Sequence, residues 1–109
     1  MRLLSVGKNL TAGAESVVYT VPDGYNAVWN LMYLHNSSGN TKTISVDWYD
    51  VSESVTIPIL TSQSFASKEY FQFNGNGSGV VLEAGDQIKM TPAADSDFGV
   101  VCTLLISRV

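Results

Sequence analysis

Residues that interrupt helices recur along this chain at short intervals, and they constrain its fold more than any other feature. Gly, Pro, Asn, Asp and Ser break every segment in which apolar residues could follow a period of 3.6. Between the breaks, apolar and polar residues alternate, as they do in half-buried strands. In residues 43–50, for example, Ile44, Val46 and Trp48 fall on one face. The sequence therefore predicts an all-β chain.

The number and spacing of these segments favour one architecture. Eight or nine short strands are predicted, separated by turns. We expect an antiparallel β-sandwich of about eight strands, with jelly-roll or related Greek-key topology. The 109 residues fit a single domain, 1–109, and 45% hydrophobic residues are enough for its core. A weak first strand is expected over residues 3–6, and residues 1–13 are a candidate N-terminal arm that docks on a neighbouring molecule.

Two predicted strands are apolar on both faces. In residues 26–36, Trp29, Leu31 and Tyr33 are predicted on the face opposite to Met32, and the last strand, 100–109, is apolar on both sides as well. Such a strand is covered on both sides within one subunit, or it lines a subunit interface. The candidate interface residues are Trp29, Leu31, Tyr33, Val101 and Leu105.

Residues 54–60 are predicted to form an edge strand. Pro58 removes a backbone donor, and proline in a sheet is confined to edges and bulges. The side chains expected to face inward are those of Val55, Ile57 and Ile59. The loops expected to be exposed are 36–42 and 74–79, both rich in Asn, Gly and Ser.

The segment VVLEAGDQIKM, residues 80–90, reads as two short strands joined by a tight turn. Gly85 is expected to supply the positive φ of the turn, and Asp86 to hydrogen-bond its own neighbours. Lys89 alternates with two apolar residues and should face solvent. Two carboxylates and a lysine lie close together here, but a structural corner is the better interpretation than a catalytic site.

Catalytic chemistry has few candidate residues in this chain. There is one histidine, His35, and one cysteine, Cys102, which could pair as base and nucleophile. Cys102 lies in the apolar segment GVVCTLLI, where a cysteine is typically a small buried hydrophobe. His35 is expected to be a polar residue at a strand end. We therefore predict that the chain is not an enzyme.

Metal and cofactor sites are not indicated either. One histidine and one cysteine cannot supply a four-ligand transition-metal site, and no phosphate-binding loop is present. The acidic segments 47–53 and 94–99 carry oxygen ligands that suit Ca²⁺, but neither has a defined loop spacing. Solvated loop acids are the preferred interpretation. Asp47 and Asp50 fall on opposite faces of a strand and do not form a glycosidase pair.

Several aromatic residues are open to more than one role. They could belong to the core, to a protein interface or to a platform on which a sugar stacks, because Trp and Tyr serve all three. Core and interface are favoured over sugar binding. The residues concerned are Trp29, Tyr33, Tyr25 and Tyr49.

Charge and cysteine usage limit the partners. The net charge is −4 and the six basic residues are scattered, so the chain lacks the basic patch of a nucleic-acid binder. No apolar run is long enough to span a membrane or to serve as a signal peptide. A single cysteine excludes an internal disulfide, which fits assembly in a reducing cytoplasm.

Two long segments of the sequence, 16–50 and 80–109, resemble small virion proteins of tailed bacteriophages. The shared features are a hydrophobic-Tyr-Thr-Val-Pro-x-Gly opening at 18–24, a strand ending in Asn before a Ser/Thr loop at 34–40, and Leu-Glu-Ala-Gly-Asp-x-Ile at 82–88. The resemblance does not extend to residues 52–73 or 1–13.

The resemblance implies a structural protein of the particle and carries no catalytic motif. We expect a head decoration or cement protein, acting as a homo-oligomer, typically a trimer, on the major capsid protein or other virion proteins. A tail, neck or fibre component is the alternative within the virion, and a carbohydrate-binding module is the alternative outside it. The expected location is the virion, assembled in the host cytoplasm.

Overall fold

The chain forms two antiparallel sheets packed face to face, as predicted. The structure, a computed structural model, describes residues 1–11, 13–74 and 79–109. These residues contain nine strands and no helix, and so no helix long and apolar enough to cross a membrane. The strands are β1 (Arg2–Thr11), β2 (Ser16–Thr20), β3 (Tyr25–Asn36), β4 (Lys42–Asp50), β5 (Val55–Phe65), β6 (Tyr70–Asn74), β7 (Val80–Leu82), β8 (Gln87–Pro92) and β9 (Asp97–Arg108).

The strand order is that of a jelly roll. The front sheet has the order β1-β9-β3-β6, with β7 also paired to β3, and the back sheet has the order β2-β8-β4-β5. β6 pairs with residues 31–35 of β3, and β7 pairs with residues 27–29. β6 and β7 therefore share one strand position, which reconciles nine strands with the predicted sandwich of about eight.

The N-terminal segment is part of the front sheet. β1 pairs with β9 along its whole length, from Arg2 opposite Ile106 to Thr11 opposite Asp97. Because β9 also pairs with β3 over residues 98–108, it is a central strand, as its apolar sequence predicts. The predicted first strand, residues 3–6, is therefore part of a strand that is ten residues long.

The core lies between the sheets and is formed by alternate residues of the long strands. β9 shows the alternation most clearly, since every second residue from Phe98 to Ile106 is buried. The same period holds in β8 and over Ile44 and Val46 of β4. At about 25 cal/mol per Å² of apolar surface buried, this contact between the sheets is the main source of stability.

The edge strand β5 differs from its prediction. It lies at the edge of the back sheet, as Pro58 indicates. However, Val55, Ile57 and Ile59 are not buried; they are 38 to 41% exposed. Of these three residues, Ile59 lines a small apolar cleft together with Phe73 and Val80, beside the core residues Trp29 and Met32. Further along, Ser62 has a left-handed backbone (φ 46°), and the register shifts there.

The segment 80–90 is a corner between sheets and not a hairpin. β7 pairs with β3 in the front sheet, whereas β8 pairs with β2 and β4 in the back sheet. The turn itself is as predicted: Gly85 has a φ of +89°, and Asp86 accepts a hydrogen bond from the backbone N–H of Glu83. Local turn signals do not reveal which sheet each flanking strand joins.

Candidate interaction face

The outer surface of the front sheet carries most of the predicted interface residues. Leu31 and Tyr33 of β3 and Val101 and Leu105 of β9 alternate with buried neighbours and are half-buried. Their side chains therefore lie on the face turned away from the core. Leu31 stands opposite Thr103, and Tyr33 stands opposite Val101.

Trp29 lies on the other side of the sheet, so its predicted grouping with Leu31 and Tyr33 is wrong. Its side chain is 2% exposed and belongs to the core. The reason is a bulge in β3: Trp29 pairs with Leu104, Leu31 pairs with Thr103, and Asn30 is the additional residue between them. A bulge shifts the alternation by one residue, which returns Met32 to the core face together with Trp29.

One end of the outer face carries a row of four aliphatic residues that crosses four strands. Leu3 of β1 pairs with Leu105 of β9, Leu105 pairs with Val28 of β3, and Val28 pairs with Val81 of β7. Leu3 is 65% exposed and Val81 60%. We call these four residues the apolar row. Cross-strand neighbours of this kind form a continuous surface, so the row is a contiguous exposed patch.

The other end of the same face is more polar and contains a groove. Its volume is about 430 Å³, and it is lined by Gly7, Lys8 and Asn9 of β1, Gly99, Val100 and Val101 of β9, and Tyr33 and His35 of β3. These eight residues are called the glycine groove below. Tyr33 also stacks on Tyr70 of β6, with ring centroids 5.6 Å apart and an interplanar angle of 14°.

The outer face of the back sheet has a different character. Lys89 of β8 lies between Tyr49, whose ring centroid is 4.6 Å from its Nζ, and Glu15, whose carboxylate oxygen is 3.8 Å away. Lys89 faces outward as predicted, but its side chain is only 21% exposed. Burial, with a further contribution from Glu15, raises the pKa of the nearby Asp47 carboxyl above its usual value, while Lys89 opposes the shift.

The two candidate catalytic residues lie on opposite sides of the front sheet. Cys102 is buried on the core side, and burial raises the pKa of its thiol to about 12. His35 is half-buried on the outer side, where its Nδ1 is 3.0 Å from the hydroxyl of Ser37. The two side chains therefore do not form a nucleophile–base pair.

Trp29 is one neighbour of Cys102 within the core. The indole counteracts part of the rise in the pKa of the thiol. Among the described residues, no acceptor lies within normal hydrogen-bond geometry of the buried Nε1 of Trp29. The Cys102 sulfur, a weak acceptor, is the group beside it.

The four aromatic residues considered as a sugar platform do not converge. Trp29 is in the core, Tyr49 is on the back sheet, and Tyr25 lies beside Arg108, 3.2 Å from one of its guanidinium nitrogens. Tyr33 alone lies in the groove. Across the described residues, no three His, Cys, Asp or Glu side chains are grouped as metal ligands would be.

Asn36, at the end of β3, was placed in an exposed loop by the sequence but is fully buried. Its Nδ2 donates to three carbonyl oxygens, those of Asn40, Phe65 and Ala66, at 2.9 to 3.1 Å. Its Oδ1 accepts from the N–H of Ser38, which is also buried. These bonds fix the start of the loop 36–42. The other predicted loop, 74–79, falls largely on residues 75–78, outside the described part of the chain.

Comparison with known proteins identifies the fold. The sequence matches no protein-family model and no curated protein. A subunit of Bacillus endospore appendages, described as disulfide-linked pili, has a TM-score of 0.60 and 14% identity, over 99% of this chain and 88% of that one. The Drosophila NLP core, described in terms of pentamer formation and histone binding, has a TM-score of 0.58 and 18% identity, over 96% and 99%.

A third structure, the capsid asymmetric unit of cyanophage Pam1, matches less well. Its TM-score is 0.38 and its identity 12%, over 94% of this chain and 82% of that one, which is too low to indicate a shared fold. The first two structures show that this β-sandwich is a fold seen in other proteins, and at such identities fold does not define function.

Proposed function

We propose that this chain is a non-enzymatic structural subunit of a tailed-bacteriophage particle, which decorates or cements the head. The observation that carries the proposal is the apolar row, Leu3–Leu105–Val28–Val81, on the outer face of the front sheet. Four aliphatic side chains in register across four strands expose a continuous surface that water solvates poorly. Contiguous apolar patches of this kind mark sites of protein–protein contact.

The absence of charge around the row supports the same assignment. The outward residues of β1 from Leu3 to Asn9 include no Lys, Arg, Asp or Glu. The same holds for the outward residues of β9 and β3 that pair alongside them. The cores of protein interfaces are depleted in charged residues, because an unpaired charge is costly to remove from water. The outer face of the back sheet, by contrast, carries Lys89 and Asp47.

The resemblance to phage virion proteins supplies the biological context of the proposal. Two proteins that share the fold are described as forming pili and a pentamer, so this fold is compatible with assembly. In our proposal the apolar row joins copies of the chain into a homo-oligomer, which we take to be a trimer. The oligomer then bridges neighbouring capsid subunits, and the many weak contacts add up over the lattice.

The proposed absence of catalysis draws support from the positions of Cys102 and His35. A thiol with its pKa raised to about 12 is protonated at neutral pH and is not a nucleophile. His35 does not face it across any shared cavity, since the two lie on opposite faces of one sheet.

The oligomer can be tested with a matched pair of variants. Light scattering coupled to size-exclusion chromatography should give an oligomer for the wild type and a monomer for Leu105→Glu. Thr91→Glu places the same charge on a half-buried, outward position of the back sheet and should leave the oligomer intact. A wild-type chain that is monomeric at high concentration, or a Leu105→Glu variant that still assembles, would contradict the proposed interface.

Attachment to the particle needs its own experiment. Heads assembled without this chain should bind the purified wild type at regular positions visible by electron cryo-microscopy, and should then resist heat better. Binding at the tail or neck instead would support the alternative virion location. Binding to neither would exclude a virion role while leaving the oligomer unaffected.

A further inference from the structure

We infer that the glycine groove is a binding site for a neutral saccharide. This goes beyond the proposed structural role, because the groove occupies the half of the outer face that the apolar row leaves free. Its volume of about 430 Å³ lies within the range of small-molecule sites, roughly 300–1,000 Å³. The inference rests on the shape of the groove, on its aromatic wall and on the kind of polar groups that line it.

The shape of the groove depends on two glycines that the fold does not require. Neither Gly7 nor Gly99 has a positive φ. A Cβ built on Gly7 would lie 3.7 Å from its nearest neighbour, and one on Gly99 would lie 3.8 Å away, which are ordinary contacts. Glycine inside a strand costs about 0.5–1 kcal/mol relative to alanine. What the two glycines do provide is a floor on which another molecule can approach the backbone closely.

The wall of the groove is a supported aromatic ring. Tyr33 lines the groove, and its ring stacks against that of Tyr70 on the neighbouring strand β6. Tyr70 itself does not line the groove, so it supports Tyr33 from behind. A held tyrosine ring offers an apolar face with a hydroxyl at its edge, which suits a pyranose ring with its C–H face and hydroxyl rim.

The polar groups around the floor are an amide and an imidazole, both of which form hydrogen bonds. Asn9 and His35 stand on either side of Gly99 in one cross-strand row. The amide of Asn9 both donates and accepts, and the bond between Nδ1 of His35 and Ser37 leaves Nε2 for a ligand. Such a mixture of donors and acceptors suits the hydroxyl groups of a sugar, each of which can both donate and accept a hydrogen bond.

The charge of the groove argues for a neutral ligand. The one charged residue among those that line it is Lys8, whose ammonium donates a hydrogen bond to the carbonyl oxygen of Val17 on β2, in the back sheet, at 3.0 Å. Because this bond holds the ammonium at the back sheet, we assign the groove a neutral ligand and not a phosphate, a sulfate or a uronic acid. A second protein surface is the other class of occupant, and the test below distinguishes it.

Nuclear magnetic resonance on the ¹⁵N-labelled full chain tests the inference. The probes are glucose, galactose, mannose and N-acetylglucosamine, each added to about 50 mM, well above a weak Kd of about 1 mM. At least one should shift the amide signals of Gly7, Gly99 and Val101 in a saturable way. Glucuronate and galacturonate should bind at least about tenfold more weakly than the matching neutral sugar.

Two variants on one strand provide the control. Gly99→Val fills the floor and should weaken sugar binding at least about tenfold, whereas Thr103→Val, on the same face but outside the groove, should change it less than about twofold. Tyr33→Leu, which removes the ring, should also abolish binding, and it replaces Gly99→Val if that variant does not fold.

Three outcomes would overturn the inference. They are no saturable shift with any of the four sugars, shifts confined to residues outside the groove, and undiminished binding by Gly99→Val and Tyr33→Leu. Groove signals that move with protein concentration and not with sugar would identify a protein contact instead. Leu105→Glu should keep sugar binding while losing the oligomer, so this inference and the proposed function can fail independently.

Discussion

The indole nitrogen Nε1 of Trp48 donates a hydrogen bond to Oδ2 of Asp86, at 3.2 Å, and so joins β4 to the corner between β7 and β8. The same carboxylate accepts from the backbone N–H of Glu83 through Oδ2 and from that of Val51 through Oδ1, each at 3.0 Å. Asp86 is 1% exposed. A single buried acceptor thus holds the corner to the loop that follows β4.

Asp86→Asn should destabilise the protein by about 1–3 kcal/mol, because the amide turns an N–H toward a backbone donor and leaves buried groups without partners. Equilibrium unfolding in urea measures the change. Asp23→Asn is the control, since Asp23 is exposed in the turn before β3, and it should alter stability by less than about 0.5 kcal/mol. Equal stability of the two variants would show that the bonds to Asp86 contribute nothing net.

Asn36→Ala should cost about 2–4 kcal/mol, because three carbonyl oxygens and the N–H of Ser38 lose their partner together. Thermal unfolding is a suitable measurement. The exposed Asn40 supplies only its backbone carbonyl to this network, so Asn40→Ala should leave the melting temperature nearly unchanged. A comparable loss in both variants would point to loop propensity as the cause and not to the buried amide.

Gly79→Ala should destabilise the front sheet by about 1–3 kcal/mol, since a Cβ at this position would lie 2.2 Å from the carbonyl oxygen of Trp29 and the backbone must move. Gly39 makes the matched control, because a Cβ there meets nothing within 4 Å. Urea unfolding of the two variants measures the difference in their free energies of unfolding. Were Gly79→Ala as stable as Gly39→Ala, the close approach of residue 79 to β3 would be wrong.

The Cys102 thiol makes stability depend on pH in alkaline solution. Its pKa is raised to about 12 in the folded protein, above the ordinary 9.0, so the unfolded chain loses a proton that the folded chain keeps. The contribution to stability is complete below about pH 9 and is lost as the pH rises toward about 12. Within that window the free energy of unfolding should fall by at most about 1.4 kcal/mol per pH unit.

Tyrosine and lysine side chains also titrate in this range, so the prediction is made for the difference between the wild type and Cys102→Val. The free energy of unfolding of the wild type, taken relative to that of Cys102→Val, should fall steadily as the pH rises through this window. Urea unfolding at each pH measures this quantity. Independently, the wild-type thiol should react with Ellman's reagent only after unfolding. A constant difference, together with rapid labelling of the folded protein, would contradict the burial of Cys102.

The sequence predicted those features that depend on local chemistry. The positive φ of Gly85, the alternation of Ile44 and Val46, and the position of β5 at an edge all follow from residue types within a few positions. The apolar character of both faces of β3 was also visible. Whether these faces are covered within one subunit or at an interface was left open, because the same sequence pattern fits both.

The errors arose where structure depends on distant strands. The bulge at Asn30 is defined by the pairing of β3 with β9, about 70 residues later, and it moved Trp29 from the outer face to the core. Asn36 and Asn40 look alike in the sequence, but only Asn36 meets the carbonyl oxygens of Phe65 and Ala66. The glycine groove likewise combines residues of three strands, and no local sequence motif indicates it.

The free edge of β5 restricts how copies of this chain could join. Pro58 lacks a backbone donor and the register shifts at the left-handed Ser62, so a strand of another molecule could not pair along the whole of this edge. The back sheet therefore cannot extend from one molecule to the next through this edge, which is how sheet proteins form open-ended aggregates. In the oligomer proposed above, copies of the chain therefore meet through the outer face of the front sheet and not along this edge.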